Sequence, residues 1–374
     1  MLAPTKNVGS PALLVYSAQM EKVGGIESHV LEFCERFATK GWRVTLMCSR
    51  FAENPRAVRR LRDARVELIV NTSAWASRTP LRKWLWTLVA LARLAGRRFD
   101  AVYVNGQGRN PATVHARYRG RARTVHHHHT SCDGADVASW PPSYRDALRR
   151  CDALVVCADF IRERMRRACG RADVDFAYCF SRRVDAPERA SVGGTAPVVF
   201  GYFGRLITEK GIDWILRLSR DPRLAGVEWR IWGAESSAYR ARDFEGYPSV
   251  TYLGAFAGDE GLRSALQAID CYCLFSSHPE GLPVSLMEAM SAGRPWIATP
   301  QGGVPELAHD PASCMLVTLD DYEAVVAACC AMRDRLRAGA VDFAPQRAFY
   351  AERLADEPLY QRWCEVLGTR VAPR

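Results

Sequence analysis

The sequence contains no apolar run long enough to cross a membrane. Its longest candidate, residues 85–96, falls short of the roughly eighteen residues that a spanning helix needs, and Arg93 interrupts it. The first ten residues also lack the charged start and the apolar block of a signal peptide. These two absences predict a cytoplasmic protein.

Paired cysteines are absent as well. None of the 13 cysteines has the paired spacing of a zinc site, and several lie inside apolar runs, such as Cys271 and Cys273 or Cys329 and Cys330. Disulfide frameworks are typical of small secreted domains, which a chain of 374 residues is not. We therefore predict reduced, buried thiols in a reducing compartment.

The composition is that of a globular protein with a basic surplus. Apolar residues make up 48% and charged residues 25% of the 374 positions, which favours two domains over one. Lys and Arg outnumber Asp and Glu by 51 to 41, and the net charge of +10 favours anionic partners such as phosphates or an acidic membrane surface. The basic residues are scattered and form no recognition module, so we expect no nucleic acid as a partner.

Short β-rich runs alternate with helical patterns almost throughout. This alternation predicts an α/β fold with two doubly wound parallel sheets, each covered by helices on both faces. The predicted strands are residues 12–16, 43–47, 66–70, 101–104, 122–125 and 153–157 in the first half, and 198–203, 228–231, 250–253, 271–275, 295–298 and 315–317 in the second.

A segment rich in proline and glycine separates the two halves. We predict an N-terminal Rossmann-like domain over residues 1–185, a linker over 186–197 and a C-terminal Rossmann-like domain over 198–353. A last helix at about 354–374 is expected to pack back on the first domain. Because ligands of open parallel sheets bind beyond the carboxyl ends of the strands, the site is expected in a cleft between the domains.

Two loops after predicted strands have residues suited to an anion. Gly24 and Gly25 precede a helix that begins near Ile26, where free N–H groups and the helix dipole face an anion. A tight turn is an equally good interpretation of these glycines. Arg205 and Lys210 follow the strand at 198–203 and can clamp a diphosphate, although on their own they also fit ordinary surface charge.

The segment 278–295, HPEGLPVSLMEAMSAGRP, gives the strongest signal. Glu280 is predicted just before a helix that starts at Pro283 and ends at Gly293, and Glu288 lies about one and a half turns into it. The first carboxylate can hold sugar hydroxyls and the second can grip a ribose, with phosphates at the helix N-terminus between them. A solvated pair of glutamates on an ordinary helix is the alternative.

Four histidines, His126 to His129, follow the strand at 122–125. Consecutive side chains diverge, so the four cannot all face one metal ion. We predict a polar edge of an active site here rather than a metal centre.

Together these residues resemble family 4 of the glycosyltransferases, which are retaining enzymes of the GT-B fold. Glu280 and Glu288 match the E-x7-E motif of that family, and residues 302–306, GGVPE, are similar to the turn that follows it. Residues 24–30, GGIESHV, are similar to its N-terminal glycine loop, and His129 stands where the family has a histidine after a first-domain strand. The resemblance covers most of the chain and is densest over residues 198–307.

The resemblance implies a nucleotide diphosphate sugar, most often a UDP- or GDP-sugar, as donor. Glu280 would orient the donor sugar beside the backbone of Gly281 and Leu282, while His129, or alternatively His127 or His128, would contact the sugar near the reacting carbon. The remaining implied contacts are to the diphosphate, from Gly24, Gly25, Arg205 and Lys210, and to the nucleoside, from Gly233, Phe256 and Glu288.

Fixed cations at the leaving diphosphate can stabilise the transition state as a metal ion would. The sequence has no convincing D-x-D constellation. We therefore predict metal-independent transfer without a cofactor, in which closure of the cleft excludes water.

The acceptor is expected to bind the first domain. Residues 78–86, continuing through Arg93, mix cations with Trp84, Trp86 and leucines, as in a basic amphipathic helix on an anionic membrane. A helix that packs within the domain is the alternative. Residues 105–110, NGQGRN, form a second candidate loop with Arg109 as its contact. The hypothesis is a peripheral enzyme at the inner membrane face, acting on a lipid-linked or envelope glycan.

Two other functions remain open from the sequence. A sugar nucleotide epimerase of a related two-domain fold is disfavoured by the Glu280 and Glu288 pair. A non-catalytic nucleotide-sugar-binding protein is disfavoured because Arg205 and Lys210 are also present.

Overall fold

Thirteen short strands form two parallel sheets in the part of the chain that the computed structural model describes, residues 10–18, 20, 24–48, 55–71, 79–184, 196–256, 258–278 and 280–369. The chain divides into two units, Met1–Phe180 with Asp356–Arg374, and Ser181–Ala355. Of the predicted linker, residues 186–195 lie outside the described residues. The predicted α/β fold class with two Rossmann-like parallel sheets is confirmed.

The first unit has a seven-stranded sheet in the order β3-β2-β1-β4-β5-β6-β7. Its strands are β1 Ala12–Ser17, β2 Arg43–Cys48, β3 Glu67–Val70, β4 Ala101–Asn105, β5 Arg123–His128, β6 Ala153–Val156 and β7 Val174–Phe176. The helices around it are Gly25–Thr39, Pro55–Asp63, Pro80–Arg93, Arg109–Tyr118, Gly134–Ala138, Pro142–Arg150, Asp159–Cys169 and Asp356–Val366.

The second unit has a six-stranded sheet in the order β10-β9-β8-β11-β12-β13. Its strands are β8 Val198–Phe203, β9 Val227–Trp232, β10 Val250–Tyr252, β11 Cys271–Leu274, β12 Trp296–Ala298 and β13 Cys314–Leu316. Its α-helices are Ile212–Leu218, Gly258–Gln267, Val284–Ser291, Tyr322–Arg337 and Ala344–Arg353, and its 3₁₀-helices are Thr208–Lys210, Pro222–Leu224, Ala241–Phe244 and Val304–Leu307.

The central strands are largely apolar because helices cover both faces of each sheet. All six residues of β1 and all six of β8 are buried. In the first unit the core on one side of the sheet gathers Tyr16, Val102 and Val104 against Leu91 and Val114 of two helices. The hydrophobic effect on these side chains is the main force that holds the layers together.

Two strands differ from the prediction. β7, of three residues at the sheet edge, was missed because so short a run gives no alternation to read. β5 was expected to end at Val125 but continues to His128, pairing with β6 over its last residues. The other strands occur where predicted, within two residues at either end.

Two helices lie near the C-terminal end of the described residues, and the second, Asp356–Val366, falls within the last helix predicted at about 354–374. Ala344–Arg353 belongs to the second unit and Asp356–Val366 to the first. In the first unit the indole of Trp363 donates to the carbonyl of Tyr178 at 3.1 Å, and the indole of Trp42 donates to the hydroxyl of Tyr360 at 3.1 Å. The last helix is thus part of the first unit's core.

All 13 cysteines are free thiols, and all but the half-buried Cys330 are buried. The prediction of buried thiols is confirmed for the other twelve. Within the described ranges, no helix combines the length and the apolar character needed to span a bilayer.

Candidate active site

Glu280 and Lys210 form a buried ion pair in the second unit. Glu280 lies in the loop between β11 and the helix Val284–Ser291 and is 7% exposed. The ammonium of Lys210 contacts its Oε1 atom, and the hydroxyl of Ser276 donates to the same oxygen at 2.8 Å. The two residues come from loops 70 positions apart in the chain. Ser276 was not among the predicted site residues.

Two glycines let these loops approach each other through their backbones. Gly211, directly after Lys210, has φ of 77°, and a Cβ atom there would lie 2.0 Å from the carbonyl oxygen of Phe275. Gly302 has φ of 57°, and its Cβ atom would lie 1.6 Å from the carbonyl oxygen of Glu280. The glycine turn after the E-x7-E segment therefore supports the Glu280 loop from behind.

The loop between Glu280 and the following helix offers two backbone donors. Pro283 is the N-cap, so the helix begins at Val284, one residue later than predicted. Among the described residues, the N–H groups of Gly281 and Leu282 have no acceptor, while the carbonyl of Gly281 accepts from Gly303 at 2.9 Å. These two N–H groups lie in the loop just before the N-cap, at the positive end of the helix dipole, where backbone donors are suited to bind a phosphate or carboxylate.

Glu288 lies on that helix and is buried against a cation. The guanidinium of Arg182 donates to its Oε1 atom at 2.7 Å and lies 5.8 Å from the ring of Phe256. Burial raises the pKa of Glu288, and Arg182 opposes that rise. Phe256 and Glu288, both predicted on the nucleoside side, are thus joined through Arg182. Sequence reasoning missed Arg182 because it stands just before the predicted linker, with no motif around it.

Arg205 and Gly233 lie on loops that follow β8 and β9. Arg205 is exposed, and its carbonyl accepts from the hydroxyl of the buried Tyr202 at 2.8 Å. Gly233 donates its N–H to Gly254 at 3.0 Å and accepts from the hydroxyl of Tyr252 at 2.7 Å. Arg205 therefore presents a solvated cation, whereas the polar backbone atoms of Gly233 already have protein partners.

In the first unit, Gly24 is the N-cap of the helix Gly25–Thr39. The carboxylate of Glu27 accepts from the N–H of Gly24 at 3.0 Å. The N–H group of Gly24, which we assigned to a diphosphate, therefore already donates to a carboxylate of the protein. Gly25 is exposed at the first position of the helix.

We expected the four histidines to form a polar edge beyond a strand. The structure contradicts this. His126, His127 and His128 are part of β5 and are buried, and only His129 is partly exposed. Successive side chains of a strand point to opposite faces of the sheet, so neighbouring histidines of β5 lie on opposite faces. Of the three candidates for a sugar contact, His129 is the one with access to solvent.

Three imidazoles converge on one phenol. The hydroxyl of Tyr103 lies 3.1 Å from Nε2 of His29, 2.8 Å from Nδ1 of His127 and 3.4 Å from Nε2 of His129. Burial lowers the pKa of His29 to about 3 and holds the pKa values of His127 and His129 well below their usual range. All three imidazoles are therefore neutral at physiological pH.

These three histidines are also close enough to hold a metal ion. The N–H of Phe180 donates to Nδ1 of His29 at 2.8 Å, which leaves the proton of that neutral ring on Nε2. Nε2 of His29 therefore points a proton, not a lone pair, at the centre of the cluster. The donor chemistry favours hydrogen bonding to Tyr103 over metal ligation.

The helix Pro80–Arg93 is amphipathic, and its tryptophans are half-buried and pack within the first unit, as in the alternative that the sequence left open. The indole of Trp84 donates to the hydroxyl of Thr113 at 3.0 Å, and Trp86 packs against the core. The large exposed apolar side chains of this helix are Leu81, Leu85, Leu88 and Val89. The predicted acceptor loop at 105–110 is shorter than expected because a helix begins at Arg109, whose guanidinium lies 3.8 Å from the ring of Trp84.

Comparison with known proteins agrees with this architecture. The sequence profile of Glycosyltransferase Family 4 matches residues 23–180, and that of Glycosyl transferases group 1 matches residues 197–334. A curated relative from Salmonella typhimurium, provisionally named as the colanic acid biosynthesis glycosyltransferase WcaL, is 28% identical over 56% of this chain and 54% of its own length. The chain thus spans about half the length of the curated relatives it matches.

Solved structures share the fold at low identity. Sucrose-phosphate synthase from Thermosynechococcus elongatus superposes with a TM-score of 0.77 at 15% identity, over 95% of this chain and 98% of that one. HepE of Anabaena, in complex with UDP-glucose, has a TM-score of 0.72 at 17% identity, over 96% and 99% of the two chains. These structures show that the chain shares the GT-B fold. The two family profiles, which together match most of the chain, identify it as a member of the family 4 type of glycosyltransferases.

Proposed function

We propose that the protein transfers a sugar from a nucleotide diphosphate sugar to a hydroxyl acceptor with retention of configuration. The observation that carries this proposal is the largely buried Lys210–Glu280 pair beside the N–H groups of Gly281 and Leu282, which have no acceptor among the described residues. Glu280 would hold the sugar hydroxyls, and Lys210 with Arg205 would stabilise the diphosphate as it leaves. Preorganised cations act more strongly on the developing charge of the leaving oxygen than on the ground state.

The proposed donor is a UDP- or GDP-sugar. The complex of HepE with UDP-glucose supports the first of these for a protein of the same fold. In this chain, Glu288 would accept from ribose hydroxyls while Arg182 holds its carboxylate in place. Transfer is proposed to need no metal ion, because Lys210 and Arg205 supply fixed positive charge and the histidine cluster around Tyr103 is arranged for hydrogen bonds.

The proposed acceptor is an envelope or lipid-linked glycan at the inner face of the cell membrane. The name of the WcaL relative, which refers to colanic acid biosynthesis, supports an envelope glycan. The exposed leucines of the helix Pro80–Arg93 support a peripheral membrane contact. We expect Leu85→Ser with Leu88→Ser to lower binding to anionic vesicles severalfold, measured by flotation. Unchanged binding would remove this contact from the proposal.

The test of the activity is a thermal-unfolding panel with UDP, GDP, ADP, TDP and CMP and their common sugar conjugates. A ligand that binds only the native state raises its stability by mass action, so the cognate nucleotide should raise the melting temperature. The cognate sugar conjugate is then incubated with and without a glycan acceptor. Nucleotide diphosphate released only with acceptor supports transfer, whereas an isomerised sugar nucleotide without acceptor would indicate an epimerase. Binding without either product would indicate a non-catalytic protein.

A further inference from the structure

The carboxylate of Glu280 has one saturated oxygen and one open oxygen. Its Oε1 atom contacts the ammonium of Lys210 and accepts from the hydroxyl of Ser276 at 2.8 Å. A carboxylate oxygen has two lone pairs, so these two donors use both of them. The Oε2 atom has no partner among the described residues, and it keeps some exposed surface. Oε2 is therefore the oxygen of Glu280 that a ligand can meet.

Lys210 alone does not determine how this carboxylate is turned. An ammonium group is a compact charge on a flexible four-carbon stem, and the terminal torsion of a glutamate side chain has only broad preferences. The carboxylate can therefore rotate about that torsion while the ammonium of Lys210 follows it. A second donor with a fixed position is needed to keep Oε2 turned towards a ligand.

Ser276 is a donor with such a fixed position. Its short side chain lies just after β11 and is fully buried. The hydroxyl of Thr299 donates to the carbonyl of Ser276 at 2.5 Å, and the N–H of His278 donates to its Oγ atom at 3.1 Å. The hydroxyl proton of Ser276 is left to donate, and the charged carboxylate at 2.8 Å is a stronger acceptor than the carbonyl of Glu209 at 3.1 Å.

The hydroxyl of Ser276 is not needed to hold the two loops together. The carbonyl of Glu209, which directly precedes Lys210, also accepts from the N–H groups of Ser277 at 2.8 Å and of His278 at 3.2 Å. These backbone hydrogen bonds join the Lys210 loop to the loop after β11. The specific contribution of the hydroxyl is therefore its contact with the carboxylate of Glu280.

We propose that Ser276 is the positioning residue of Glu280, which holds the carboxylate with Oε2 turned towards the sugar of the donor. This assignment rests on the proposed function, in which Glu280 holds sugar hydroxyls. Ser276 is buried and acts only through Glu280. Loss of its hydroxyl therefore weakens the binding of the sugar and leaves the binding of the nucleotide, which the proposed function assigns to other residues, unchanged.

The test separates sugar binding from nucleotide binding in the full chain by titration calorimetry. The probes are UDP with UDP-glucose, UDP-galactose and UDP-N-acetylglucosamine, and GDP with GDP-mannose. For the conjugate that the unmodified chain binds most tightly, Ser276→Ala should lower the affinity about tenfold, as expected if the sugar loses one hydrogen bond to the charged Oε2 atom. The affinity of the same variant for the matching UDP or GDP should be unchanged.

Ser277→Ala is the matched control, because the exposed Ser277 hydroxyl lies 3.5 Å from the carbonyl of Glu209 and away from Glu280. It should change neither affinity. Ser276→Cys keeps nearly the same size but donates only weakly, so it should behave as Ser276→Ala does and replaces that variant if it does not fold. Equal losses for conjugate and plain nucleotide, or no loss for the conjugate, would overturn the proposal.

Transfer to a glycan acceptor is measured separately with the same variants, so that this inference and the proposed function can fail independently. If affinity for the conjugate depends on Ser276 but the unmodified chain does not transfer the sugar, the positioning role stands and the transferase activity is wrong. If the unmodified chain transfers the sugar and Ser276→Ala matches its rate, the activity stands and the positioning role is wrong.

Discussion

At the scale of single residues, the structure changes what removal of Lys210 or Glu280 should do. Their side chains are only 12% and 8% exposed, so either one alone leaves a buried charge without its partner. The sequence motif predicts catalytic residues whose replacement affects transfer and leaves stability almost unchanged. The burial of the pair predicts that replacing either residue lowers both the transfer activity and the stability.

We expect Lys210→Ala to lower the free energy of unfolding by about 3 kcal/mol, because breaking a buried ion pair leaves an uncompensated carboxylate. The double variant Lys210→Met with Glu280→Gln removes both charges and should recover most of that loss while transfer stays abolished. Urea unfolding and a transfer assay measure the two effects. A stable Lys210→Ala chain with full turnover would contradict both the pairing and its role.

Tyr103 gives a second prediction at this scale. Tyr103→Phe removes the oxygen that Nε2–H of His29 donates to, and an unsatisfied buried donor costs about 1–3 kcal/mol. Tyr118→Phe is the matched control, because the Tyr118 hydroxyl is buried without a partner among the described residues. Urea unfolding should therefore show a loss for Tyr103→Phe and almost none for Tyr118→Phe. Equal effects would mean that Tyr103 does not organise the histidines.

At the scale of elements, the turn at Gly302 determines where the Glu280 loop lies. A Cβ atom at Gly302 would overlap the carbonyl of Glu280, and the carbonyl belongs to backbone that cannot rotate away. The helix Val284–Ser291 follows this loop directly, so a displaced turn would also move the N–H groups beside Glu280.

We expect Gly302→Ala to abolish transfer and to destabilise the chain by more than the conformational penalty of its positive φ. Gly246→Ala isolates that penalty, since Gly246 has φ of 92° and no atom lies within 4 Å of the position that its Cβ would take. An alanine in the left-handed region costs about 1–2 kcal/mol, and overpacking adds about 1–3 kcal/mol at Gly302. Similar unfolding midpoints and normal transfer in both variants would show that the turn does not support the site.

At the scale of the whole molecule, buried neutral histidines make folding sensitive to acid. Burial lowers the pKa of His29 to about 3 and of His115 to about 4, and it holds those of His126, His127 and His129 well below the usual range. In the unfolded chain each titrates near 6.5. Below that pH the unfolded state binds more protons, so stability is full above about 6.5 and falls as pH falls towards the folded pKa values.

We expect each of these histidines to contribute a loss of up to about 1.4 kcal/mol per pH unit below pH 6.5. The buried carboxyls Glu32 and Glu288 have raised pKa values and act in the opposite direction, but they are two groups against five. Urea unfolding at pH 7, 6 and 5 measures the slope of stability against pH. His115→Gln should reduce this slope by the contribution of one histidine, up to about 1.4 kcal/mol per pH unit. Constant stability across this range would contradict the neutral, buried state of the histidines.

The α/β class, the strand positions and the E-x7-E segment could all be predicted from the sequence. Parallel strands buried on both faces need continuous apolar runs, and helices need capping and breaking residues, so both are visible in a short window of sequence. Glu280 before the helix and Glu288 on it follow from spacing alone. β5 and β7 are the exceptions: the last three positions of β5 are histidines, which give no apolar signal, and β7 is only three residues long.

The partners of the site residues, in contrast, became known only with the folded structure. Lys210 reaches Glu280 across 70 positions and Arg182 reaches Glu288 across 106, and no local pattern encodes either contact. The histidines likewise appear as one polar run in the sequence, yet the pleat of β5 separates them into two networks, around Tyr103 and around Tyr144. Burial and pairing depend on which elements the fold brings together. The free energies of these contacts therefore arise only in the folded chain.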